Sequence, residues 1–472
     1  MEHHILETEQ KALEINLNEK IYGTFAEIGA GQEVARYFFQ VGAAVGTIAK
    51  TMSAYDKAFS DIIYGRENKG RYVCESRLYK MLDHEYDLMV DRLQQERPET
   101  NFFVFSDTVA AVNYSNTIKG NGWLGLRFQL NSESAPNEFI LHVKLLDKLN
   151  HQQQQAIGIL GVNLLYASYY YNDDVETMLV SLMDNLRGRV AIDMVRISGP
   201  DFEDLDNRWL SLLLVKNNLT DIAIFGPNGK NLHASEFLYR KSLLIVRGNF
   251  LPPTKVNMDM LESGFRQFIE EEDVDPEKAM SLVEITINNL FYKDDTVKKD
   301  FLDRANLLCA LGQTVIISNC EERSKLVEYF EDFKVNKIGL VIGVHELRTI
   351  FSQNTYSKND DGKLLISLGK LFSKNTKIYG YPIRDLKTKR FVNCNNIDLP
   401  DGMIFLFSHL LKKGRIEDIY NVDMSFMKIF SGEVHEMILQ NDSSWEEMVP
   451  EKVAELIKQQ KLFGYKTNFV KS

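Results

Sequence analysis

Short apolar runs alternate with amphipathic stretches through most of this chain. Asn101–Asp107, Trp123–Leu130 and Phe139–Leu146 have the length and content of buried strands, the last two separated by the polar turn Asn131 to Asn137. His151–Tyr171 and Val175–Leu186 follow as helices, the first with Ile157, Leu160, Leu164 and Leu165 at apolar positions. Further strands are predicted at Val190–Ile197, Asp221–Phe225, Leu243–Val246, Leu282–Ile287, Thr314–Ile317, Lys337–Ile342 and Lys377–Tyr381. Helical stretches such as Asp204–Lys216, Met258–Glu270, Lys298–Leu311 and Glu321–Phe333 lie between them. This alternation indicates an α/β fold of βαβ units with a parallel sheet. Counted from Phe139–Leu146 there are eight strands, so a (β/α)8 barrel is favoured, with an open doubly wound sheet as its competitor.

Upstream, Lys69–Arg97 reads as an amphipathic helix with Leu78, Leu82, Tyr86, Met89 and Leu93 on one stripe. Its Asp83-His84-Glu85 run cannot converge on one ion, because adjacent helical residues point about 100° apart, and it reads as a solvated face. Downstream, Asp361–Phe372 is helical, Lys387–Asn396 a loop and Met403–Ile438 a helical tail. The expected organisation is a mainly helical region over 1–100, an α/β core over 101–400 and a helical tail over 401–472.

The stretch from Tyr22 to Gly65 is dense in small residues and tyrosines. Phe25 to Gly31 reads as a glycine turn opening a helix over Gln32 to Gln40, with Val34, Phe38 and Val41 on one face. Such a turn can present backbone N–H groups to a phosphate. The dinucleotide fingerprint is incomplete, since Val34 stands where a third glycine belongs and the preceding residues make a poor buried strand. Gly42 to Thr51 has the wrong spacing for a P-loop. It reads instead as a helix on which Gly42, Ala43, Gly46 and Ala49 admit a close neighbour, with Lys50 and Thr51 as the alternative phosphate contacts.

"KALEINLNEKIYGTFAEIGAGQEVARYFF" followed by "GTIAKTMSAYDKAFSDIIYG" resembles the opening of a bacterial family of similar length. Its members carry automatic names such as nicotinate-nucleotide adenylyltransferase or TonB-dependent receptor. The likeness extends through "MLDHEY", "FFVFSDTVAA", "LGVNLLYASYY", "RVAIDMVRISGP", "VRGNF" and "IGLVIGV". A receptor of the second kind needs a signal peptide and many amphipathic strands of about ten residues, and neither pattern is seen. The first name implies a transferase acting on nucleotide precursors, but no His-x-Gly-His nucleotide loop is present.

Composition narrows the field. The 472 residues are 44% hydrophobic and 26% charged, ample for a core, with a net charge of −11. That balance argues against nonspecific nucleic-acid or membrane-surface partners, and no apolar run is long enough to span a bilayer. Cys74, Cys309, Cys320 and Cys394 are far apart without metal spacing, which predicts reduced thiols and a cytoplasmic protein. No metal site and no cofactor motif is specified, and the nine histidines are scattered.

Two filters select candidate residues. In α/β folds ligands bind beyond the carboxyl ends of the strands, which points to Arg247, Asn319, His345 and Arg384 as contacts for a phosphorylated or nucleotide-like metabolite. Charges inside strands are paired, solvent-facing or functional. His142, Lys144, Asp193, Arg196 and Glu284 qualify, and Lys144 and Asp193 are the candidates for chemistry, with a structural ion pair as the alternative. The competing reading of the whole chain is a noncatalytic assembly protein, a homo-oligomer joined through the Gly42–Gly46 helix.

Overall fold

Strand pairing sorts the apolar runs into two large open sheets, one in each of two units, Met1–Thr220 and Asp221–Ser472. The computed structural model describes residues 4–67, 70–115, 119–290, 296–352, 361–373, 375–385 and 390–466. Lys69 and residues 387–389, at the predicted helix start and in the predicted loop, lie outside the described residues.

The first unit holds β1 (Ile21–Gly29), β2 (Ile48–Ser53), β3 (Asn101–Ala110), β4 (Asn121–Phe128), β5 (Asn137–Leu145) and β6 (Val190–Ser198), in the order β2-β1-β3-β4-β5-β6. β1 is parallel to both β2 and β3, and the remaining pairs are antiparallel. Its helices are α1 (Thr8–Asn16), α2 (Glu33–Gln40), α3 (Lys57–Tyr64), α4 (Glu75–Leu93), α5 (Asn150–Tyr170), α6 (Val175–Ser181) and α7 (Asn207–Lys216). The period-2 alternation of β3 separates two cores. Phe103 and Phe105 join α1, α2 and α5 on one face, while Phe102 and Val104 meet Leu78, Leu82 and Met89 of α4 on the other. Helix α5 opens on the polar residues Asn150 to Gln155 and is buried on all sides from Ala156 to Ser168, so it shows no amphipathic stripe. Its Gly158 and Gly161 let α2 come close. A Cβ at Gly161 would lie 2.5 Å from a Val34 methyl, and one at Gly158 2.7 Å from Glu33 Cβ.

The second unit holds β7 (Ile222–Phe225), β8 (Asn231–Leu232), β9 (Ser242–Arg247), β10 (Ala279–Thr286), β11 (Thr314–Ser318), β12 (Lys337–Gly343), β13 (Thr376–Tyr381), β14 (Ile383–Arg384), β15 (Phe391–Val392) and β16 (Ile416–Asp418). Its large sheet runs β16-β13-β12-β9-β10-β11-β7-β8, parallel except where β7 meets β11 and β8.

The α/β class and the parallel βα units are as expected, and the open sheet replaces the barrel. The strands counted toward one barrel fall in different sheets, because β5 and β6, though joined through helices, pair antiparallel within the first unit. Residues 1–100 contribute two strands and so belong to the first sheet rather than to a separate helical region. Of the predicted tail, residues 401–466 form helices and 3-10 turns around the strand β16 and belong to the second unit. The stretch before Gly31 is a buried strand rather than a loop, since β1 is flanked on both sides and tolerates small and polar residues there. The Gly42–Gly46 segment is a left-handed turn and one 3-10 turn leading into β2, with Gly42 at φ +83° and Ala43 at φ 59°. Open space surrounds both glycines, so they admit no close neighbour within the unit. Among the described residues no helix is long and apolar enough to cross a membrane.

These packing roles are separable by substitution. Gly161→Val, which forces a branched side chain into Val34 and Phe105, is expected to destabilise the protein by about 1–3 kcal/mol. Gly46→Ala is expected to stay within about 0.5 kcal/mol of the parent. Urea unfolding of the two variants checks both values.

Candidate functional site

The parallel strands β1, β2 and β3 end together, and a cavity of about 480 Å³ opens above their carboxyl ends. Its wall comes from the turn after β1 (Ile28, Gly29, Ala30, Gln32), from the segment after β2 (Ala54 to Lys57 and Ser60) and from the end of β3 (Val109 to Asn113). Tyr72, Asn150 and Gln154 complete the polar part of the lining.

Local structure explains how these side chains are held. Asp56 caps α3 by accepting the Phe59 N–H at 2.7 Å, which sets Lys57 and Ser60 over the cavity. Fully buried Arg77 of α4 donates to the Ser60 and Gly65 carbonyls and to Asp61, fixing the start and end of α3. Tyr72 donates its hydroxyl to Asp61 at 2.8 Å, accepts the Thr108 hydroxyl on its carbonyl at 2.6 Å, and lies under the Lys57 ammonium. Ser60 is among the lining residues, and its buried Oγ has no hydrogen-bond partner. Tyr55 stands 83% exposed at the rim.

Beneath the turn lie two carboxyl groups that face each other across β1 and β3. Glu27 and Asp107 are register partners, 2% and 0% exposed. Neither oxygen of Asp107, nor Oε1 of Glu27, has a partner at ordinary hydrogen-bond geometry, and the Ile28 amide acts on Asp107 only weakly against the burial. The same cross-strand row continues with Leu124, Leu141 and Val195, all in the apolar core. Burial pushes Glu27 up to about 8, against the pull of the Ala35 amide and with the Glu33 charge adding to the rise. Asp107 is held well above the usual carboxylate range, by burial first and by Glu27 second. Such a pair is neutral, or shares protons, near pH 7.

The residues picked from sequence are placed as follows. Lys144 and Asp193 do come together on β5 and β6, with Nζ 3.8 Å from the carboxylate, and His142 Nδ1 sits 2.6 Å from Asp193. They belong to the first unit. Arg247, Asn319, His345 and Arg384 all lie in the second, at or just beyond the carboxyl ends of β9, β11, β12 and in β14. Arg247 is engaged by the buried Glu284 at 2.9 Å through two nitrogens and by the Cys320 and Glu321 carbonyls. Glu284 also accepts from Ser318 at 2.5 Å. His345 and Arg384 are exposed. Lys50 holds the buried Glu85, which also accepts from Tyr64 at 2.8 Å, so Lys50 is not a phosphate ligand and Glu85 is not on a solvated face. Sequence reasoning missed Glu27, Asp107 and Ser60. The in-strand charge filter would have found the first two had β1 been read as a strand and β3 carried past Asp107.

No protein-family model and no curated protein matches the chain. Solved structures similar to part of it include a competence/damage inducible protein, CihA, from Agrobacterium tumefaciens, at 13% identity and a TM-score of 0.25, spanning 35% of this chain and 98% of that one. A CinA superfamily protein from Enterobacter cloacae matches at 12% identity and a TM-score of 0.26, over 36% and 95% of the two chains. One from Escherichia coli matches at 9% and 0.25, over 34% and 95%. Likeness at this level carries no statement about activity.

Two outcomes are expected. Glu27 is raised in the fold from its ordinary 4.5 to about 8. The stability it supports is therefore complete below about pH 4.5 and declines until about pH 8, at about 1.4 kcal/mol per pH unit for one proton. The difference in urea stability between the parent and Glu27→Gln, followed from pH 5 to 9, should carry this slope and flatten above pH 8. Arg247→Ala should destabilise the second unit by about 3–5 kcal/mol, because it strands the Glu284 charge. Thermal unfolding that left the variant as stable as the parent would contradict the structural role.

Proposed function

We propose that the first unit binds a small nucleotide-like metabolite, carrying no more than one phosphate, in the cavity above β1, β2 and β3. The observation that carries this reading is a cavity of about 480 Å³ at the carboxyl ends of parallel strands, with an apolar wall and a few polar lining residues that include Ser60. Ligand sites of small molecules have this size and this mixture of apolar wall and few polar groups, and this position relative to a parallel sheet. Tyr55 offers an aromatic face at the rim, suited to a base or another flat ring. Among the described residues Lys57 is the only cation of the lining and Asp56 its only anion, which suits a neutral or singly phosphorylated ligand better than a polyphosphate. Transfer chemistry on a nucleotide precursor, which the resemblance of the opening stretch implies, fits a ligand of this size and polarity.

A thermal-shift panel of nucleosides, nucleoside monophosphates, nucleoside triphosphates and sugar phosphates tests the reading. A ligand at 100 times its Kd should add about 2.7 kcal/mol. The shift should come from nucleosides or monophosphates and vanish in Tyr55→Ala and Ser60→Ala. A shift that survives undiminished in both variants would place the ligand elsewhere, and a flat panel would remove the proposal.

A further inference from the structure

The turn that walls the cavity rests directly on the buried carboxyl pair. Gly29, at φ +91°, brings the chain against the Val109 carbonyl so closely that no Cβ fits, and the Ala30 N–H donates to that carbonyl at 3.2 Å. Gly31 leaves the place of its missing side chain to the Asp107 carboxyl, which any Cβ would strike. Gln32 ties the turn together by donating to the Gly29 carbonyl at 2.5 Å and to Ser53 Oγ at 3.0 Å. Helix α2 starts immediately afterwards without a side-chain cap, and the Ala35 amide in its first turn acts on Glu27.

Among the described residues, the charges that act on the pair are acidic and offer no counterion. On β1 and β3 each carboxyl faces the other, α2 adds Glu33, which is itself held by Arg36 at 2.9 Å, and β4 presents Leu124. The α5 residues against α2 at this level are Gly158 and Gly161. Lys50 of β2 is taken by Glu85.

We propose that Glu27 and Asp107 form a pH-sensitive latch that seats the Gly29–Gly31 turn and so fixes one wall of the cavity. With its protons in place the pair is neutral, and the turn packs on Asp107. When they leave, two like charges face each other in an apolar row without a cation, and water can reach them only by lifting the turn. The cleft then loses its wall on the β1 side. The latch stands independently of which ligand the cavity takes.

The test needs no ligand and uses the full chain. Carboxyl-carbon NMR of protein labelled at Asp and Glu, with Glu27→Gln and Asp107→Asn as assignment controls, should give for the pair a titration midpoint above pH 7. Hydrogen exchange over residues 28–34, corrected for intrinsic rate, should lose protection tenfold or more between pH 6 and pH 9 in the parent and stay level in the double variant Glu27→Gln, Asp107→Asn, which has neither proton to lose. Midpoints below pH 5 for both carboxyls overturn the proposal. So does protection of the turn that is independent of pH in the parent, or that falls equally in the double variant. If the double variant fails to fold, the parent's titration midpoints and exchange profile decide the matter alone.

Discussion

Desolvation of two carboxyl groups in one cross-strand row governs the build of the first unit. An ionised carboxylate in such surroundings is costly enough that the group keeps its proton instead. The row runs from Ser53 through Glu27 and Asp107 to Leu124, Leu141 and Val195, so the pair lies where the exposed edge of the sheet gives way to the apolar core. Around it the residue choices are constrained. Gly31 must lack a side chain because Asp107 fills that space, and Gly29 must adopt a positive φ to bring β1 against β3. Helix α2, launched from that turn, reaches its core position only because α5 carries glycine at 158 and 161. A single charge problem thus propagates through turn, helix and helix contact.

The second unit buries a strand carboxylate by the opposite means. Glu284 is 0% exposed on β10, and Arg247 meets it through two parallel hydrogen bonds while Ser318 supplies a third. A bidentate, hydrogen-bonded pair of this kind is satisfied, and removing one partner exposes the cost of the other. Arg247 also joins the β9 end to the loop after β11 through two carbonyls. Its position at a strand end is that of a ligand contact, but its hydrogen bonds are those of a structural brace. Position relative to the sheet therefore selects regions, and hydrogen-bond satisfaction decides among residues within them.

Much of the fold was legible because burial leaves period-2 and apolar-run signatures. β3, β5, β6 and β9 to β13 stand near their predicted places. β1 was not legible because a strand flanked on both sides can carry Thr24, Ala26 and Glu27 without an apolar run. The chain after Gly42 misled for a related reason. Alternating Gly, Ala and Val suit helix packing, yet Gly42 and Ala43 take left-handed backbone and β2 follows as a half-exposed edge strand. Sheet closure was beyond reach, since a helix between two strands marks a parallel crossover only when both strands point the same way. Lys144 and Asp193, which the in-strand charge rule singled out, stand 3.8 Å apart on β5 and β6, outside the lining of the cavity. Ser60 left no signal, because a serine in a short helix is common and only its missing partner marks it.

The glycine turn also bears on where an anion can sit. A helix start after a strand ordinarily attracts phosphate through free N–H groups and the helix dipole. Here Glu27 already acts on the Ala35 amide, and Asp107 occupies the space at Gly31. The protein's own carboxyls thus fill the role a phosphate would take, and a phosphate placed there would be a third acidic group in one pocket. The positive end of the cavity lies across from it, at Lys57 on α3. Under the proposed reading, the anion of a singly phosphorylated ligand is held at Lys57 and not at the start of α2. The start of α2 is therefore a wall of the cavity and not its anion site, because the carboxyls beneath it occupy the place a phosphate would need.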